Sequence, residues 1–212
     1  MKKIRPEEAI IKGISLKELL DNHKKWLNNE EGGKQLVLTG ADLSYVSLEG
    51  TNLRGADLEG ANLENANLEN ADLENVYLEN AYLRNANLYN SNLENVNLKH
   101  ANLENANLGN ANLRGVYLEN ANLRNIKFYS TDLYKVQRKD LFEVGNIGSR
   151  NDTTHYFIED NRIICGCFDN TLEEFEEKVK NTYSEDSREY TEYSIAIDTF
   201  KRYKEMYYKR RK

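Results

Sequence analysis

Two cysteines separated by one residue are the side chains most able to do chemistry in this sequence. On a strand, Cys165 and Cys167 would share a face about 7 Å apart, too far for an unstrained disulfide. Zinc needs four ligands, and His155 is the one histidine nearby. A tight turn at Asp160-Asn161 would pair His155 with Gly166 and turn it away from both thiols. We predict structural cysteines, with metal or redox chemistry as the alternative.

The remaining histidines and the carboxylates form no pattern typical of a catalytic site. His23, His100 and His155 fall in three separate segments, and the sequence contains no Gly-rich phosphate loop, nucleophile elbow or HExxH motif. His23 lies on the apolar stripe of a predicted helix, where we expect a packed, hydrogen-bonded imidazole. We predict that this is not an enzyme and that it has no metal and no cofactor. An enzyme in the C-terminal region is the alternative, and metal content or thiol reactivity would reveal it.

Composition narrows the class of protein further. The chain has 212 residues, one proline, a net charge of -6 and a mean hydropathy of -0.80. No apolar run approaches the roughly 20 residues of a membrane helix, and no apolar segment typical of a secretion signal follows Lys2 and Lys3. Two cysteines are typical of a protein from a reducing compartment. We predict a cytoplasmic protein that neither enters a membrane nor binds nucleic acid directly.

A five-residue repeat occupies the middle of the chain. Residues 36–135 form 20 consecutive blocks with Leu, or once Phe128, at the centre, usually Ala two residues earlier, and mostly Asn or Gly in fifth place. A period of five matches neither a helix nor a straight strand. A chain that bends at every block would bury the Ala and Leu and place Asn or Gly at the corners, where left-handed conformations occur.

The repeat also predicts how many blocks complete one turn. Val recurs in the small inward position of every fourth block, whereas the neighbouring face has Ala alone in that position. Four blocks per turn, with faces of unequal bulk, explain both patterns. The residues concerned are Val76, Val96, Val116 and Val136 on one face, and Ala41, Ala61, Ala81, Ala101 and Ala121 on the other.

The blocks ADLEN at 71–75, ANLEN at 61–65 and ANLRG at 111–115 closely resemble the pentapeptide-repeat family, whose consensus is A(D/N)LXX. The resemblance implies a mainly β fold, a right-handed quadrilateral β-helix of five coils. At a strand spacing of about 4.8 Å such a rod is on the order of 24 Å long. Stacked leucines would fill its inside and leave no lumen. The core residues that we single out are Leu43, Leu63, Leu83, Leu103, Leu123 and Phe128.

Residues 1–35 are predicted to cap the open end of the rod. Ser15 and Glu18 form a capping box, and apolar residues then recur at helical spacing. We predict an amphipathic helix over 16–29 that covers Leu36 and Leu38.

Residues 136–212 lack the repeat and are predicted to form a small α+β module. The sequence predicts a hairpin over 154–168, a helix that starts after a capping box at 171–174, and a longer helix over about 188–209. Parts of 147–175 resemble a module that follows pentapeptide repeats in phage and bacterial proteins, to which no activity attaches. The tail 209–212 is basic, which suits either a phosphate or RNA ligand or a solvated helix end.

Outward side chains in equivalent positions of every fourth block form four columns on the predicted rod. Residues 36–135 contain 13 acidic and 7 basic residues, so the rod accounts for the net charge. One column is net negative, and a group of tyrosines projects from two neighbouring faces. The candidate interaction surface consists of Glu59, Glu79 and Glu119 with Tyr77, Tyr82 and Tyr117 on the rod, and Tyr193, Phe200 and Tyr207 on the last helix.

We therefore predict a non-enzymatic interaction scaffold of bacterial or phage origin. Its partner would be a protein, and the last helix would form a homodimer or bind that partner. The family resemblance implies an alternative, because some pentapeptide-repeat proteins present acidic rods that resemble DNA and occupy the DNA site of gyrase. Such a protein would modulate a type II topoisomerase or protect it from quinolones. Arginines interrupt the acidic columns here, which favours charges that simply keep the rod soluble.

Overall fold

The computed structural model describes residues 3–124, 126–127, 141–147, 152–158, 161–165 and 168–209. The chain divides into two compact units, Met1–Arg138 and Lys139–Lys212. The first unit contains the N-terminal segment and the repeats, and the second contains a sheet with two helices. The sequence predicts the boundary between residues 135 and 136. The predicted division between cap and repeat at residue 35 stays a prediction.

The repeats wind into coils of four blocks each. Within the described residues, each block from 36–40 to 106–110 forms a parallel bridge with the equivalent block of the next coil, as between Asn62 and Tyr82 and then between Tyr82 and Asn102. Each bridge has two backbone hydrogen bonds, such as Leu63 N–H to the Tyr82 carbonyl at 2.7 Å and Tyr82 N–H to the Ala61 carbonyl at 2.9 Å. Four such columns of bridges run along the coils. Of the predicted five coils, residues 128–135 lie outside the described residues.

The fifth residue of each block turns the corner. Asn65 has a φ of 60°, and the N–H of Ala66 donates to the Leu63 carbonyl at 3.0 Å across the turn. A positive φ at the third residue of a four-residue turn is what a type II turn requires, and Asn and Gly accept it most readily. Tyr45 and His100 adopt the same conformation without being Asn or Gly.

The inside of the coils is filled by the central leucines. Among the residues that we single out from the sequence, all except Phe128 are described, and each is buried at 0–1% exposure. The small inward residues Ala61, Ala81 and Ala101 on one face, and Val76 and Val96 on the next, are buried beside them. Phe128 lies outside the described residues, as does Val136.

An N-terminal segment closes the first coil. The hairpin of β1 (Ile10–Ile11) and β2 (Ile14–Ser15) leads into α1 (Leu16–Leu27). The Ser15 side chain accepts a hydrogen bond from Glu18 N–H at 3.2 Å, so the helix begins at the predicted cap. It ends two residues before the predicted residue 29, because Asn28 is the C-cap. Upstream, Ile4 adds a parallel bridge to Val46 and extends one face of the first coil.

The second unit contains a four-stranded antiparallel sheet in the order β3-β4-β5-β6. The hairpin of β4 and β5 matches the predicted one, and the flanking strands add to both edges. Its register differs from the prediction, because His155 pairs with Ile164 and not with Gly166. The loop is longer than the predicted two-residue turn, since Phe157 and Arg162 are the last pair. The strands are β3 (Leu141–Ile147), β4 (Asp152–Phe157), β5 (Arg162–Cys165) and β6 (Phe168–Thr171).

Two helices pack against this sheet. Helix α2 (Leu172–Thr182) begins at Thr171, whose hydroxyl accepts a hydrogen bond from Glu174 N–H at 3.2 Å. Helix α3 spans Arg188–Lys209, as the sequence predicts. Their apolar faces meet the strands in one core that includes Tyr156, Ile163, Phe175 and Ile197.

Candidate interaction surface

One face of the coils presents tyrosines and charged residues together, and we call it the tyrosine face. Its residues stack coil upon coil through parallel bridges and backbone hydrogen bonds. Neighbouring coils lie about 4.8 Å apart, so residues in successive coils are within side-chain reach. The tyrosine face consists of the column Val37, Asp57, Tyr77, Asn97 and Tyr117 and the parallel column Thr39, Glu59, Glu79, Lys99 and Glu119.

Lys99 lies on the tyrosine face, in the coil between those of Tyr77 and Tyr117. Its ammonium lies 5.6 Å from the centre of the Tyr117 ring and 3.6 Å from Oε2 of Glu119. The ring face and the carboxylate both attract the cation. Tyr117 is half-buried in this arrangement. Lys99 was not among the residues predicted from the sequence, although it is the one basic residue of its column.

Tyr77 lies two coils above Tyr117 and is much more open. Its side chain is 55% exposed. Oε2 of Glu79 on the same coil accepts a hydrogen bond from the Asn97 side chain at 3.0 Å. Lys99 lies in the coil before Tyr117. Glu59 lies in the equivalent position, in the coil before Tyr77. Tyr77 therefore has Glu59 where Tyr117 has Lys99, and Lys99 itself lies on the following coil and lines the same groove as Tyr77.

A shallow groove of about 240 Å³ runs between the two tyrosines. Because both tyrosines belong to a continuous ladder, the groove is held by the backbone of three coils and not by a loop. The groove is lined by Asn75, Val76, Tyr77, Asn95, Asn97, Lys99 and Tyr117.

Tyr82, the third tyrosine of the predicted group, projects from the adjacent face of the same coil as Tyr77 and is 57% exposed. The structure thus places Tyr77 and Tyr82 on one coil of the rod, with Tyr117 one face over from Tyr82 and two coils below Tyr77.

Most carboxylates of the rod are engaged within the rod itself. Glu49, Glu69 and Glu79 each accept a hydrogen bond from an Asn side chain of the next coil at 2.9–3.0 Å. Arg54 bonds Glu74 at 2.9 Å across one coil. These contacts tie neighbouring coils together in register. Among the three predicted glutamates, Glu59 is the exposed one, whereas Glu79 and Glu119 are partly buried.

The predicted surface on the last helix is corrected by the structure. Phe200 is fully buried and Tyr193 is 7% exposed, because both face the sheet and α2. Phe200 packs on Tyr156 with ring centres 5.3 Å apart. Tyr207 is partly buried against the same core. The exposed apolar side chains of α3 are instead Ile195, Tyr203, Met206 and Tyr208.

Cys165 is buried in this core. Its sulfur accepts a hydrogen bond from the Thr154 hydroxyl at 3.0 Å, and the Tyr193 hydroxyl lies 3.9 Å away. Burial raises the pKa of Tyr193, with the neighbouring thiol as a further cause. Because Thr154 pairs with Cys165 across the hairpin, His155 points to the opposite side of the sheet. Cys167 lies outside the described residues.

The described part of the chain shows no group of three His, Cys, Asp or Glu side chains placed to hold a metal ion. In the same residues no helix has the length and apolar character needed to cross a membrane.

The family model for pentapeptide repeats matches the chain in eight copies, over residues 37–70, 61–99 and 97–133. The repeat region, with its parallel ladders from coil to coil, therefore consists of pentapeptide repeats. The match ends at residue 133. The likeness of the second unit to modules that follow such repeats therefore stays a prediction. No curated protein matches the chain.

Several solved structures are similar to part of the chain. The pentapeptide repeat protein alr5209 from Nostoc Pcc 7120 is 27% identical over 56% of this chain and 93% of its own, with a TM-score of 0.46. Rfr23 from the cyanobacterium Cyanothece 51142 is 42% identical over 47% and 60%, with a TM-score of 0.19. QnrB1, a plasmid-mediated fluoroquinolone resistance protein, is 18% identical over 50% and 64%, with a TM-score of 0.31. The chain thus spans less than two thirds of the latter two.

Proposed function

We propose that this protein is a non-enzymatic scaffold that binds a protein partner on the outside of its repeat domain. The observation that carries the proposal is the pair of exposed tyrosines, Tyr77 and Tyr82, on one coil of a rigid ladder. The described leucines pack the inside of the coils, so a ligand meets the outer faces. Tyrosine supplies a large contact area at low entropic cost, which makes it a frequent centre of protein interfaces.

The test is capture of partners from host lysate with the full chain and with the variant Tyr77→Ala/Tyr82→Ala. We expect a protein that the wild type retains and the double variant loses. A variant that truncates two exposed apolar side chains of the N-terminal hairpin, Ile10→Ala/Ile14→Ala, is the control, because those residues belong to neither proposed surface. Identical sets of bound proteins from the wild type and the double rod variant would contradict the proposal.

The second candidate is an acidic rod that takes the place of DNA on a type II topoisomerase. The exposed carboxylate of Glu59 and the net charge of the repeat region favour it. Against it, Glu74, Glu64 and Glu119 form ion pairs inside the rod, which reduces the charge presented to a partner. DNA mimicry predicts inhibition of gyrase supercoiling that is lost when Glu59, Glu79 and Glu119 become Gln. Supercoiling unaffected by the wild type would exclude it.

We also propose a homodimer through the second unit, on a different surface of α3 from the one that the sequence predicts. The surface cannot be Tyr193 and Phe200, so we assign it to the exposed side of α3, with Ile195 and Met206 on one helical face about three turns apart. Light scattering on the full chain gives the mass directly. A monomer mass would remove the dimer from the proposal, and a dimer that Ile195→Glu dissociates would support it. We propose the cytoplasm of a bacterium or of its phage-infected cell as the setting.

A further inference from the structure

We propose that Tyr77, Glu79 and Glu59 form a receptor for a lysine or arginine side chain of a basic partner polypeptide. The proposal rests on the scaffold function above and names the chemistry of the partner. It is carried by a comparison between two places on the tyrosine face of this one rod.

The first place already holds a cation. Lys99 directs its ammonium to the Tyr117 ring, 5.6 Å from the centre, and to Glu119, 3.6 Å from Oε2. An aromatic face and a carboxylate on one coil, joined by an amine from the coil above, thus form a working cation site in this fold. The backbone fixes this geometry, since the N–H of His100 donates to the Glu119 carbonyl at 2.9 Å.

The second place has the same ring and carboxylate, but the equivalent position on the coil above supplies no cation. Tyr77 and Glu79 stand in the same two columns two coils earlier, with the same backbone pairing. The coil above contributes Glu59 in the position of Lys99, so a second carboxylate replaces the amine. Tyr77 is accordingly 55% exposed, whereas Tyr117 is half-buried beside Lys99.

The chemistry of this place selects a basic side chain. An open ring face attracts a guanidinium or an ammonium, and arginine also stacks on it through its planar group. Glu59 and Glu79 on the same face add charge attraction, which the ammonium of Lys99 on the following coil offsets in part. The place lies on an outer face of the rod, so a side chain that projects from another protein reaches it without any rearrangement of the coils.

The test measures binding of a fluorescein-labelled hexa-arginine peptide to the full chain by fluorescence anisotropy at physiological salt. We expect Tyr77→Leu to weaken binding roughly three- to tenfold, because the cation–π contact is removed while the charge stays the same. Thermal unfolding followed by circular dichroism checks that the variant is folded. Equal affinity of the folded variant and the wild type would overturn the proposal.

Glu79→Gln and Glu69→Gln separate this site from general attraction to an acidic rod. Both glutamates accept a hydrogen bond from an Asn of the next coil, and both substitutions change the charge by one. Glu69 has Asn67 beside it where Glu79 has Tyr77. We expect Glu79→Gln to weaken peptide binding several-fold more than Glu69→Gln. Equal losses would show unspecific charge attraction and overturn the proposal.

Lys99→Ala tests the comparison itself. Removal of the internal ammonium should open the Tyr117–Glu119 place, which lies about 10 Å from Tyr77 and within reach of one extended hexapeptide, so we expect the peptide to bind several-fold more tightly. Arg124→Ala makes the same charge change on another face and should change the affinity much less. Equal gains in affinity from the two substitutions would overturn the proposal, whereas the scaffold function is judged separately by the capture of partners from lysate.

Discussion

The backbone N–H of Leu36 donates a hydrogen bond to Nδ1 of His23 at 3.0 Å, where the cap helix meets the first coil. His23 is fully buried and its ring stacks on Trp26, with centres 5.3 Å apart. Nδ1 can accept this bond only when it carries no proton, so the contact requires a neutral imidazole. Nε2 has no hydrogen bond of normal geometry in the described structure, although the backbone of Leu53 and Arg54 lies near it.

We predict that the protein loses stability in mild acid through His23. Burial lowers the pKa of His23 below 6.5, and the nearby backbone only partly opposes this. The unfolded chain then binds the proton more readily than the folded chain. The stabilisation is complete above about pH 6.5 and declines as the pH falls towards the folded pKa, by at most about 1.4 kcal/mol per pH unit.

Urea unfolding at pH 7.5 and 5.5 measures this effect above the range in which carboxylates titrate. His23→Gln is the control, since an amide oxygen still accepts from Leu36 N–H but does not titrate. We expect the difference in unfolding free energy between the two pH values to be smaller in the variant. An equal difference in both proteins would show that His23 does not titrate on unfolding.

The corner residues are predicted to tolerate glycine better than alanine. Asn85 is exposed and has a φ of 57°, a left-handed conformation that alanine adopts at a cost of about 1–2 kcal/mol. Asn85→Ala should therefore lower the unfolding free energy by about 1 kcal/mol, whereas Asn85→Gly should stay close to the wild type. Chemical denaturation of the three proteins checks the order. A more stable alanine variant would show that the corner does not need this conformation.

The faces of the coil are predicted not to be interchangeable. Ala101 and Val96 occupy the same inward position on neighbouring faces, and both are buried. Ala101→Val adds volume to a packed face and should cost about 1–3 kcal/mol. Val96→Ala removes volume and should also destabilise the rod, through the cavity that it leaves. Thermal unfolding of both variants tests this, and a neutral Ala101→Val would mean that the two faces have equal room.

Truncation to alanine is predicted to lower the stability of the second unit strongly at Phe200 and hardly at all at Ile195. Phe200 is fully buried beside Tyr156, so Phe200→Ala should cost about 3–5 kcal/mol in the second unit. Ile195 is 61% exposed on the same helix, and Ile195→Ala should change stability by about 0.5 kcal/mol or less. Near-ultraviolet circular dichroism during urea unfolding follows this core. If Phe200→Ala left the unfolding free energy unchanged, Phe200 would not be a core residue and would again be a candidate for the interaction surface.

The sequence alone determined the repeat domain in most of its details. A five-residue period with Leu at the centre and Asn or Gly at the corner is local information, because each block repeats the same turn and buries the same positions. The buried state of Leu43 through Leu123 and the caps of α1 and α2 follow from neighbours within a few residues. Similarly, the start of α3 at Arg188 was visible from its helical spacing.

Only the tertiary structure decided which side of α3 is covered and how the sheet pairs. Tyr193, Ile197 and Phe200 recur at helical spacing in the sequence, but this spacing fits either a core face or an interaction surface, and only packing against the sheet and α2 shows that they are buried. The hairpin register likewise depends on β3 and β6, which sequence reasoning did not identify. The contact of Lys99 with Tyr117 joins residues that are distant in sequence, and stacking of successive coils brings them together.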